Sequence, residues 1–333
     1  MELTLLVPLR CSPGHGDHID LREHLASLRH VAEVIVVDNS DTAEFEDHAR
    51  AFASGIRHLP PHPDVRMLNG KVSNVTTGIR AAAHEAVVIA DDDVRHTPAT
   101  LRAIAVRLHG ADLVVPTNVF QSMLWHARWD TARTLINRSL WADYPGTLVV
   151  RRSTFLAMGG YDGDVLFENL ELMRTVHAAG GRVVHAPDVY VRRLPPRVRT
   201  FLGQRVRQAY DDLAQPAKLA ALLPLAPLAV AIAARRPRWL LAAAGVAVAL
   251  AEVGRHRHGG TEVFPATASL FAPAWVAERS VCVWMAVARR LLLGGVRYRG
   301  ARIRRAATPV WKLRRRMVQA AGGREAPRAR AAA

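Results

Sequence analysis

The chain has 333 residues, enough for one large domain or for a medium domain with an appendage. Its net charge of +16 is uneven: residues 1–190 carry 18 Lys+Arg and 23 Asp+Glu, a net of −5, whereas residues 191–333 carry 27 and 6, a net of +21. Cys11 and Cys282 are the only cysteines and lie far apart in sequence, which argues against a disulfide scaffold and fits a reducing compartment.

Short apolar runs alternate with helical patterns over the first half of the chain. The strand-length runs are at residues 3–9, 33–37, 86–90 and 112–116, and the helical patterns are at 20–29, 42–53, 71–84 and 98–109. Unbroken apolar runs of this length are typical of buried parallel strands with helices on both faces. The order predicts an α/β fold, a Rossmann-like, mostly parallel sheet sandwiched by helices.

A second set of elements continues this pattern. It consists of an apolar run at 147–152, a GGYDG turn at 159–163, a helix over about 168–180, strands at 182–186 and 189–193, and an amphipathic helix at 199–212.

The composition changes at residue 217. Residues 217–234 and 239–254 are apolar runs with one charge each, slightly shorter than the roughly 20 residues that span a bilayer. A third patch, 271–293, has Glu278 and Arg279 at its centre. Burying these charges in a bilayer would cost about 2.5–3.5 kcal/mol each, so the patch predicts an interfacial helix. The alternative interpretation of the whole region is a soluble helical cap.

The basic character of the second half indicates an anionic partner. Nucleic-acid-binding arms are seldom as rich in Leu, Ala and Val as residues 217–293, so we expect an anionic membrane and no nucleic acid. DNA binding by the basic tail is the alternative, and it predicts salt-sensitive association with DNA but not with anionic liposomes. The first ten residues lack the pattern of a secretory signal, and residues past 322 are expected to be disordered.

Three adjacent carboxylates, Asp91, Asp92 and Asp93, follow the apolar run 86–90. One interpretation is a solvated loop in which an Asp caps the helix that begins near Pro98. The other is a divalent-cation site, since Mg²⁺ and Mn²⁺ take carboxylate oxygens as ligands. Asp38 likewise follows a strand-length run. Because ligands bind outside the carboxyl ends of strands in such sheets, this placement favours a binding site.

Further polar stretches follow in order along the chain. Residues 69–82 open a helix with Gly, Lys and Asn, and a lysine beside a helix N-terminus suits a diphosphate. FENLEL at 167–172 and QRVRQ at 204–208 come later. Each stretch alone also fits an ordinary solvated helix, with acidic residues complementing the dipole at its start.

Taken together, these motifs resemble the family-2 glycosyltransferases of GT-A fold, especially the membrane-attached, ceramide-glucosyltransferase-like branch. The resemblance covers roughly residues 2–212 and more loosely the tail, where GGVRYRG at 294–300 is similar to the C-terminal signature of that branch. The matching residues are Pro8, Asp38, Gly70-Lys71 with Asn74 and Gly78, Asp91-Asp92-Asp93, Gly159-Gly160-Tyr161, Glu168-Asn169 and Gln204-Arg205-Val206-Arg207-Gln208.

The resemblance implies transfer of a sugar from a nucleotide-diphosphate sugar to an acceptor hydroxyl. Asp38 would contact the base, and Asp91 and Asp93 would hold Mn²⁺ or Mg²⁺ on the diphosphate. A Lewis-acid metal stabilises the charge that the leaving diphosphate gains. The remaining substrate-binding residues implied by the resemblance are Pro8, Lys71 and Asn74 for the nucleotide, Asp92 for the ribose or sugar, and Gln204 and Arg207 for the acceptor and diphosphate end.

The chain departs from the family pattern at two positions. The ED motif, whose Asp is the usual general base, has Asn169 here, and an amide takes up no proton at neutral pH. Glu168 or Glu171 must therefore substitute, or activity is weak; both are expected to face the cleft from one turn of a helix. The Trp of QxxRW is replaced by Gln208, which favours addition of a single sugar over processive polymerisation.

These observations predict three regions and a cellular location. The regions are a GT-A domain at 1–213, membrane-associated helices at 214–296 that form a hairpin plus an interfacial helix, and a basic tail at 297–333. We expect an inverting enzyme at the cell membrane, with its catalytic domain on the cytoplasmic side and a lipid-linked or glycan acceptor. The alternative is a catalytically weakened membrane protein that binds nucleotide-sugars or glycans.

Overall fold

The computed structural model describes residues 2–11, 19–52, 54–140, 143, 146–298 and 301–319. The strands are β1 (Leu3–Leu9), β2 (Glu33–Asp38), β3 (Ile56–Leu59), β4 (Ala86–Ala90), β5 (Val94–Arg95), β6 (Leu113–Phe120), β7 (Thr147–Arg151), β8 (Val183–Arg193), β9 (Val296–Tyr298) and β10 (Ala301–Ile303). The expected disorder past residue 322 and the last two residues of the GGVRYRG stretch lie outside the described residues.

Helices connect the strands and form the C-terminal part of the described chain. They are α1 (Ile19–Leu28), α2 (Thr42–Ala51), α3 (Gly70–Ala81), α4 (Pro98–Arg107), α5 (Trp125–Leu140), α6 (Arg152–Ala157), α7 (Glu168–Ala178), α8 (Val198–Ala209), α9 (Pro216–Leu222), α10 (Leu225–Arg235), α11 (Arg238–His256), α12 (Ala266–Ser269) and α13 (Ala272–Leu292). A 3-10 turn, Tyr210–Ala214, joins α8 to α9.

The central sheet has eight strands in the order β3-β2-β1-β4-β7-β6-β8-β5. The first four are mutually parallel, and β6 is parallel to β8, whereas β7 is antiparallel to both of its neighbours and β5 to β8. Alternate residues of β1 enter opposite apolar layers: Leu5 and Val7 pack on one face of the sheet and Leu6 on the other. The predicted α/β sandwich around a mostly parallel sheet is confirmed.

Local sequence explains where the helices that border the sheet begin. Asn69 caps α3 by accepting a hydrogen bond from the Lys71 backbone N–H at 3.2 Å. Thr97 and Thr100 form a capping box ahead of α4, which has a proline in its first turn. Gly78 lets α3 approach β1, because a Cβ at this position would lie 2.1 Å from Leu6 Cδ1.

Two boundaries differ from the predictions. The strand predicted at 112–116 continues to Phe120, because residues 117–120 pair with Tyr190–Arg193 after a register shift at Pro116/Thr117. The two strands predicted at 182–186 and 189–193 both pair with β6, on either side of the register shift, and form the single strand β8. Helix α5 and the short strands β3 and β5 were not predicted.

Within the part of the chain that the structure describes, three helical segments are long and apolar enough to cross a membrane: Pro216–Arg235, Arg238–His256 and Ala266–Leu292. The first two, at 20 and 19 residues, are longer than the apolar runs from which they were predicted. The end of α11 packs tightly on α5: a Cβ at Gly254 would lie 1.9 Å from Leu135 O, and Arg138 donates a hydrogen bond to the Gly254 carbonyl at 3.4 Å.

The midpoint of α13 is tied to the α/β domain by polar contacts. Arg279, buried, donates two hydrogen bonds to the buried carboxylate of Asp212, at 2.7 and 2.8 Å. The indole N–H of Trp129 donates to Glu278 at 2.8 Å. The two central charges of the third apolar patch are therefore paired with the α/β domain and its connection to α9.

Candidate active site

A cavity of about 650 Å³ opens at the carboxyl ends of β1 and β4. The amino ends of α3 and α7 and one face of α8 complete its wall. Sequence-predicted site residues that line it are Pro8, Lys71, Asn74, Asp91, Asp92, Asp93, Glu168, Gln204 and Arg207. Residues from distant parts of the chain thus meet at one edge of the sheet, as expected for an α/β fold.

Lys71 is the cation shared by two acidic elements of the cavity. Its Nζ lies 2.8 Å from Glu168 Oε1 and also pairs with Asp91 Oδ1. Burial alone would lower the pKa of Lys71, but the charges of Asp91 and Glu168 outweigh it and hold the pKa well above its usual value. Lys71 is therefore permanently charged at physiological pH, and it links the acidic triplet to the start of α7.

The acidic triplet is held by backbone pairing and by a second cation. Arg193, at the end of β8, donates hydrogen bonds to Asp93 Oδ2 at 2.5 and 3.2 Å, and β5 pairs with β8 beside it. The other carboxylate oxygen of Asp93 is buried, with no hydrogen-bond partner among the described residues. An unpartnered carboxylate oxygen beside Asp91 fits a hard divalent cation, which takes oxygen ligands.

Asn74 joins two strand ends at the floor of the cavity. Its side-chain amide donates hydrogen bonds to Leu9 O at 3.0 Å and to Val37 O at 2.8 Å. The amide is 2 % exposed, and its oxygen has no hydrogen-bond partner among the described residues. Asn74 therefore has a structural role in addition to the nucleotide contact that was predicted for it.

Asp38 is not part of the cavity wall. Its side chain is fully buried and accepts hydrogen bonds from Ser40 N at 2.9 Å and Ser40 Oγ at 2.5 Å, and it contacts His48 and His58. Burial would raise its pKa, but hydrogen bonds from His58, Ser40 and His48 lower it to about 2. The next residue, Asn39, lines the cavity instead. Base contact by Asp38 stays a prediction.

Glu171 and Glu168 do not share the cleft, contrary to expectation. Glu171 is buried and accepts a hydrogen bond from the Thr308 backbone N–H at 2.6 Å. Burial raises its pKa, against the opposing effect of the bonds from Thr308. The physical reason is that the C-terminal segment packs against this face of α7, so that the cleft side of the first turn is left to Glu168. Asn169, next to it, is partly buried and is not among the cavity-lining residues.

The C-terminal segment also holds the loop that precedes Glu168. The Leu166 N–H donates to Arg305 O at 2.9 Å, and the Phe167 N–H donates to Ala306 O at 3.0 Å. This segment follows the apolar helices in sequence, yet it packs on the α/β domain beside the cavity.

Sequence reasoning missed several cavity residues: Arg10, Asn39, Arg193, Arg297 and Tyr298. The guanidinium of Arg207 lies 5.4 Å from the centroid of the Tyr298 ring. Arg297 and Tyr298 belong to the GGVRYRG stretch, so the signal for them was present in the sequence. Arg193 had no such signal, because it is brought to Asp93 only by the pairing of β5 with β8.

Residues 20–169 match the profile of the family described as "Glycosyl transferase family 2". This match supports the resemblance to family-2 glycosyltransferases that the sequence motifs indicate. The matched region includes Lys71, the acidic triplet and Glu168, and it ends before Gln204 and Arg207. No curated protein matches the chain.

Solved structures show the fold. A mannosyltransferase from Pyrobaculum calidifontis, in complex with GDP-Man and Mn²⁺, is 21% identical, with 85% of this chain and 87% of that chain covered and a TM-score of 0.55. A glucosyl-3-phosphoglycerate synthase from Mycobacterium tuberculosis, in complex with Mn²⁺, UDP and phosphoglyceric acid, is 17% identical, with 64% of this chain and 77% of that chain covered and a TM-score of 0.44. The first of these likenesses shows a shared GT-A fold.

Proposed function

We propose that the protein transfers a single sugar from a nucleotide-diphosphate sugar to the hydroxyl of a lipid-linked acceptor, with inversion at the anomeric carbon and with a divalent metal. The proposal rests on one observation: the cavity brings the acidic triplet, Lys71, Glu168 and Arg207 together at the strand ends. The GGVRYRG stretch supports the ceramide-glucosyltransferase-like branch of the family.

The donor side is formed by the triplet and the basic residues around it. Asp91 and Asp93 would hold Mn²⁺ or Mg²⁺, and the unpartnered oxygen of Asp93 fits this role. When bound, the metal supplies Lewis-acid stabilisation of the departing diphosphate. Lys71 and Arg207 place positive charge where that diphosphate would lie. The mannosyltransferase of the same fold was solved with Mn²⁺ and a nucleotide-sugar, which supports this assignment.

Glu168 is the proposed general base. Its carboxylate lines the cavity and is oriented by Lys71 at 2.8 Å and by the Asn69 amide, which donates to Oε2 at 3.3 Å. In an inverting step the acceptor O–H gives its proton to Glu168 while its oxygen forms a bond to the anomeric carbon. The bond from that carbon to the diphosphate oxygen breaks, and the electron pair leaves with the nucleotide diphosphate.

The QRVRQ helix favours single-sugar transfer. Gln208 stands where polymer-making members of the resembled family have Trp, and its oxygen accepts a hydrogen bond from Arg205 Nη2 at 2.6 Å. The side chain is thus held on its own helix rather than presenting an aromatic platform to a growing chain.

The C-terminal helices support a membrane location and a lipid-linked acceptor. Segments Pro216–Arg235 and Arg238–His256 are largely exposed, with 6% and 17% of their most apolar windows buried, and the second of them packs on α5 and α13. We propose that they form a hairpin in the cell membrane and that the basic residues beyond 191 face an anionic leaflet on the cytoplasmic side. The paired charges at the centre of α13 support the interfacial position predicted for that helix.

A weakened transferase that only binds nucleotide-sugars or glycans is the second candidate, and it is favoured by Asn169 at the position of the family's base. Thermal-shift measurements with UDP-, GDP- and dTDP-sugars, each with and without Mn²⁺, identify the donor. A transfer and hydrolysis assay with that donor then separates the candidates. Donor stabilisation together with turnover supports the enzyme, stabilisation without turnover supports the binder, and no stabilisation by any donor contradicts both.

A further inference from the structure

A second cluster of metal-ligand side chains lies outside the cavity. Asp38 ends β2, His48 lies in α2 and His58 lies in β3. One ligand atom from each lies within 4.8 Å of the other two, and Asp38 Oδ2 is 2.6 Å from His48 Nδ1 and 3.1 Å from His58 Nε2. The side chains are 0 to 8% exposed, unlike the solvated acidic groups that commonly cluster on protein surfaces.

Neighbouring groups hold these three side chains in place. The His58 ring stacks on Phe45 with centroids 4.2 Å apart and packs against Phe52 at 5.1 Å. Ser40 donates two hydrogen bonds to the other oxygen of Asp38, which orients the carboxylate. A set of ligands fixed by packing and by outer hydrogen bonds loses little entropy when it binds a metal.

The ligand types select the metal. Two imidazoles and one carboxylate suit Zn²⁺, which often takes three protein ligands and a water molecule, whereas the all-carboxylate triplet suits Mg²⁺ or Mn²⁺. With bonds of about 2.0–2.1 Å, the ligand atoms of a tetrahedral site are roughly 3.3 Å apart. The distances of 2.6 and 3.1 Å from Asp38 Oδ2 are shorter than this spacing, so metal binding would move the two imidazole nitrogens away from that oxygen by roughly 0.2–0.7 Å. The separation of the two nitrogens, which is within 4.8 Å, would adjust to the same spacing.

We propose that Asp38, His48 and His58 bind one Zn²⁺ ion, at a site distinct from the acidic triplet. The ion would tie β2, α2 and β3 together behind Asn39, which lines the cavity. It would be structural in role, and its presence does not depend on the proposed sugar transfer. A carboxylate bound to Zn²⁺ would not also contact a nucleobase, so this assignment replaces the base-contacting role that resemblance implies for Asp38.

Metal binding by the full chain in detergent tests the proposal. The wild-type protein, dialysed against buffered Zn²⁺ and analysed by elemental mass spectrometry, is expected to retain one Zn²⁺ per chain. His58→Asn and His48→Asn should each lose it, whereas Asp93→Asn, which alters only the triplet, should keep it. A wild-type chain that retains no Zn²⁺, or a His58→Asn chain that retains as much as wild type, would overturn the proposal and leave a hydrogen-bonded cluster only.

Cobalt substitution gives a readout that needs no variant. Co²⁺ in a tetrahedral nitrogen and oxygen site produces intense visible absorption bands, whereas octahedral Co²⁺ absorbs weakly. We expect the tetrahedral bands in the wild-type protein and their loss when Zn²⁺ is added. Absorption of only the weak, octahedral kind would count against the site even if the histidine variants failed to fold.

Discussion

The two carboxylate oxygens of Asp93 differ in their surroundings. One accepts hydrogen bonds from Arg193, and the other is buried with no hydrogen-bond partner among the described residues. Asp93→Asn removes the negative charge that a divalent cation needs. We expect donor binding to lose its dependence on Mn²⁺ and most transfer activity to disappear. Isothermal titration of donor with and without EDTA measures the first effect, and exposed Asp164→Asn is the matched control. Donor affinity in wild type that is unchanged by EDTA would remove the metal from the proposed function.

Glu168 and Glu171 lie on one helix but differ in surroundings, so the same substitution should act differently at each. Glu168→Gln should lower kcat by roughly 10²–10⁴-fold with donor affinity nearly intact, the usual scale for loss of a general base. Glu171→Gln should lower the thermal unfolding midpoint, because Glu171 accepts a hydrogen bond from the Thr308 backbone. The folded fraction should keep its kcat, because Glu171 does not line the cavity. Steady-state kinetics and thermal unfolding of both variants decide the assignment.

Asn169→Asp restores the residue of the family's motif next to Glu168. If Glu168 is the base, this change should raise transfer little, since the proton already has an acceptor. If Asn169→Asp raises kcat strongly and Glu168→Gln leaves kcat unchanged, Glu168 is not the base. The natural protein would then be an attenuated transferase or a binder. The same transfer assay gives both outcomes.

At the scale of elements, the turn from β5 into α4 contains a buried histidine. His96 is 4 % exposed, both of its ring nitrogens lack hydrogen-bond partners among the described residues, and its backbone N–H donates to His24 Nε2 at 3.2 Å. Burial, with a smaller effect from His24, lowers the pKa of His96 to about 3. Burial, with a smaller effect from Arg95, lowers the pKa of His24 to about 4.

These lowered pKa values predict acid sensitivity. The unfolded chain takes up protons near pH 6.5 and the folded chain only near 3 to 4. The free energy of unfolding therefore has its full value above pH 6.5. It decreases as the pH drops below 6.5, by up to about 1.4 kcal/mol per pH unit for each histidine. His96→Leu should flatten the fall in unfolding midpoint between pH 7 and 4.5, and exposed His109→Leu should not. Equal slopes for wild type and His96→Leu would contradict this account.

The elements that the sequence predicted well are those with a strong local signal. The apolar runs of β1, β2 and β4 are local features, so their positions followed from the residues alone. The cap of α4 is Thr97 and not an Asp of the triplet, as one interpretation of the sequence had it. Helix α5 was missed because its buried face includes Asp130, Thr131 and Arg138, which mask the apolar periodicity. The positions of Glu171 and Arg193 depend on contacts with segments more than 90 residues away, Thr308 and Asp93, which no local pattern reports.

At the scale of the whole molecule, the proposed membrane attachment would combine an apolar hairpin with a basic surface. The apolar segments Pro216–Arg235 and Arg238–His256 should hold the protein in the bilayer when salt screens its charges. We expect it to sediment with membranes, to resist washing with high salt and to need detergent for release. Replacement of Arg235, Arg236 and Arg238 by Gln should leave this behaviour unchanged. Release by high salt alone would show that only the basic surface attaches the protein.

The backbone contacts of Arg305 and Ala306 with Leu166 and Phe167 have a consequence for biosynthesis. A ribosome makes residues 305 and 306 only after it has made the three apolar segments, so the loop before Glu168 receives its backbone partners last. Until then the nascent chain has the acidic triplet and Lys71, but the loop that carries the proposed base lacks these contacts. Completion of the proposed site would thus follow synthesis of the apolar helices, and a premature stop before residue 305 would yield a chain that keeps these helices but lacks the contacts that hold the loop before Glu168.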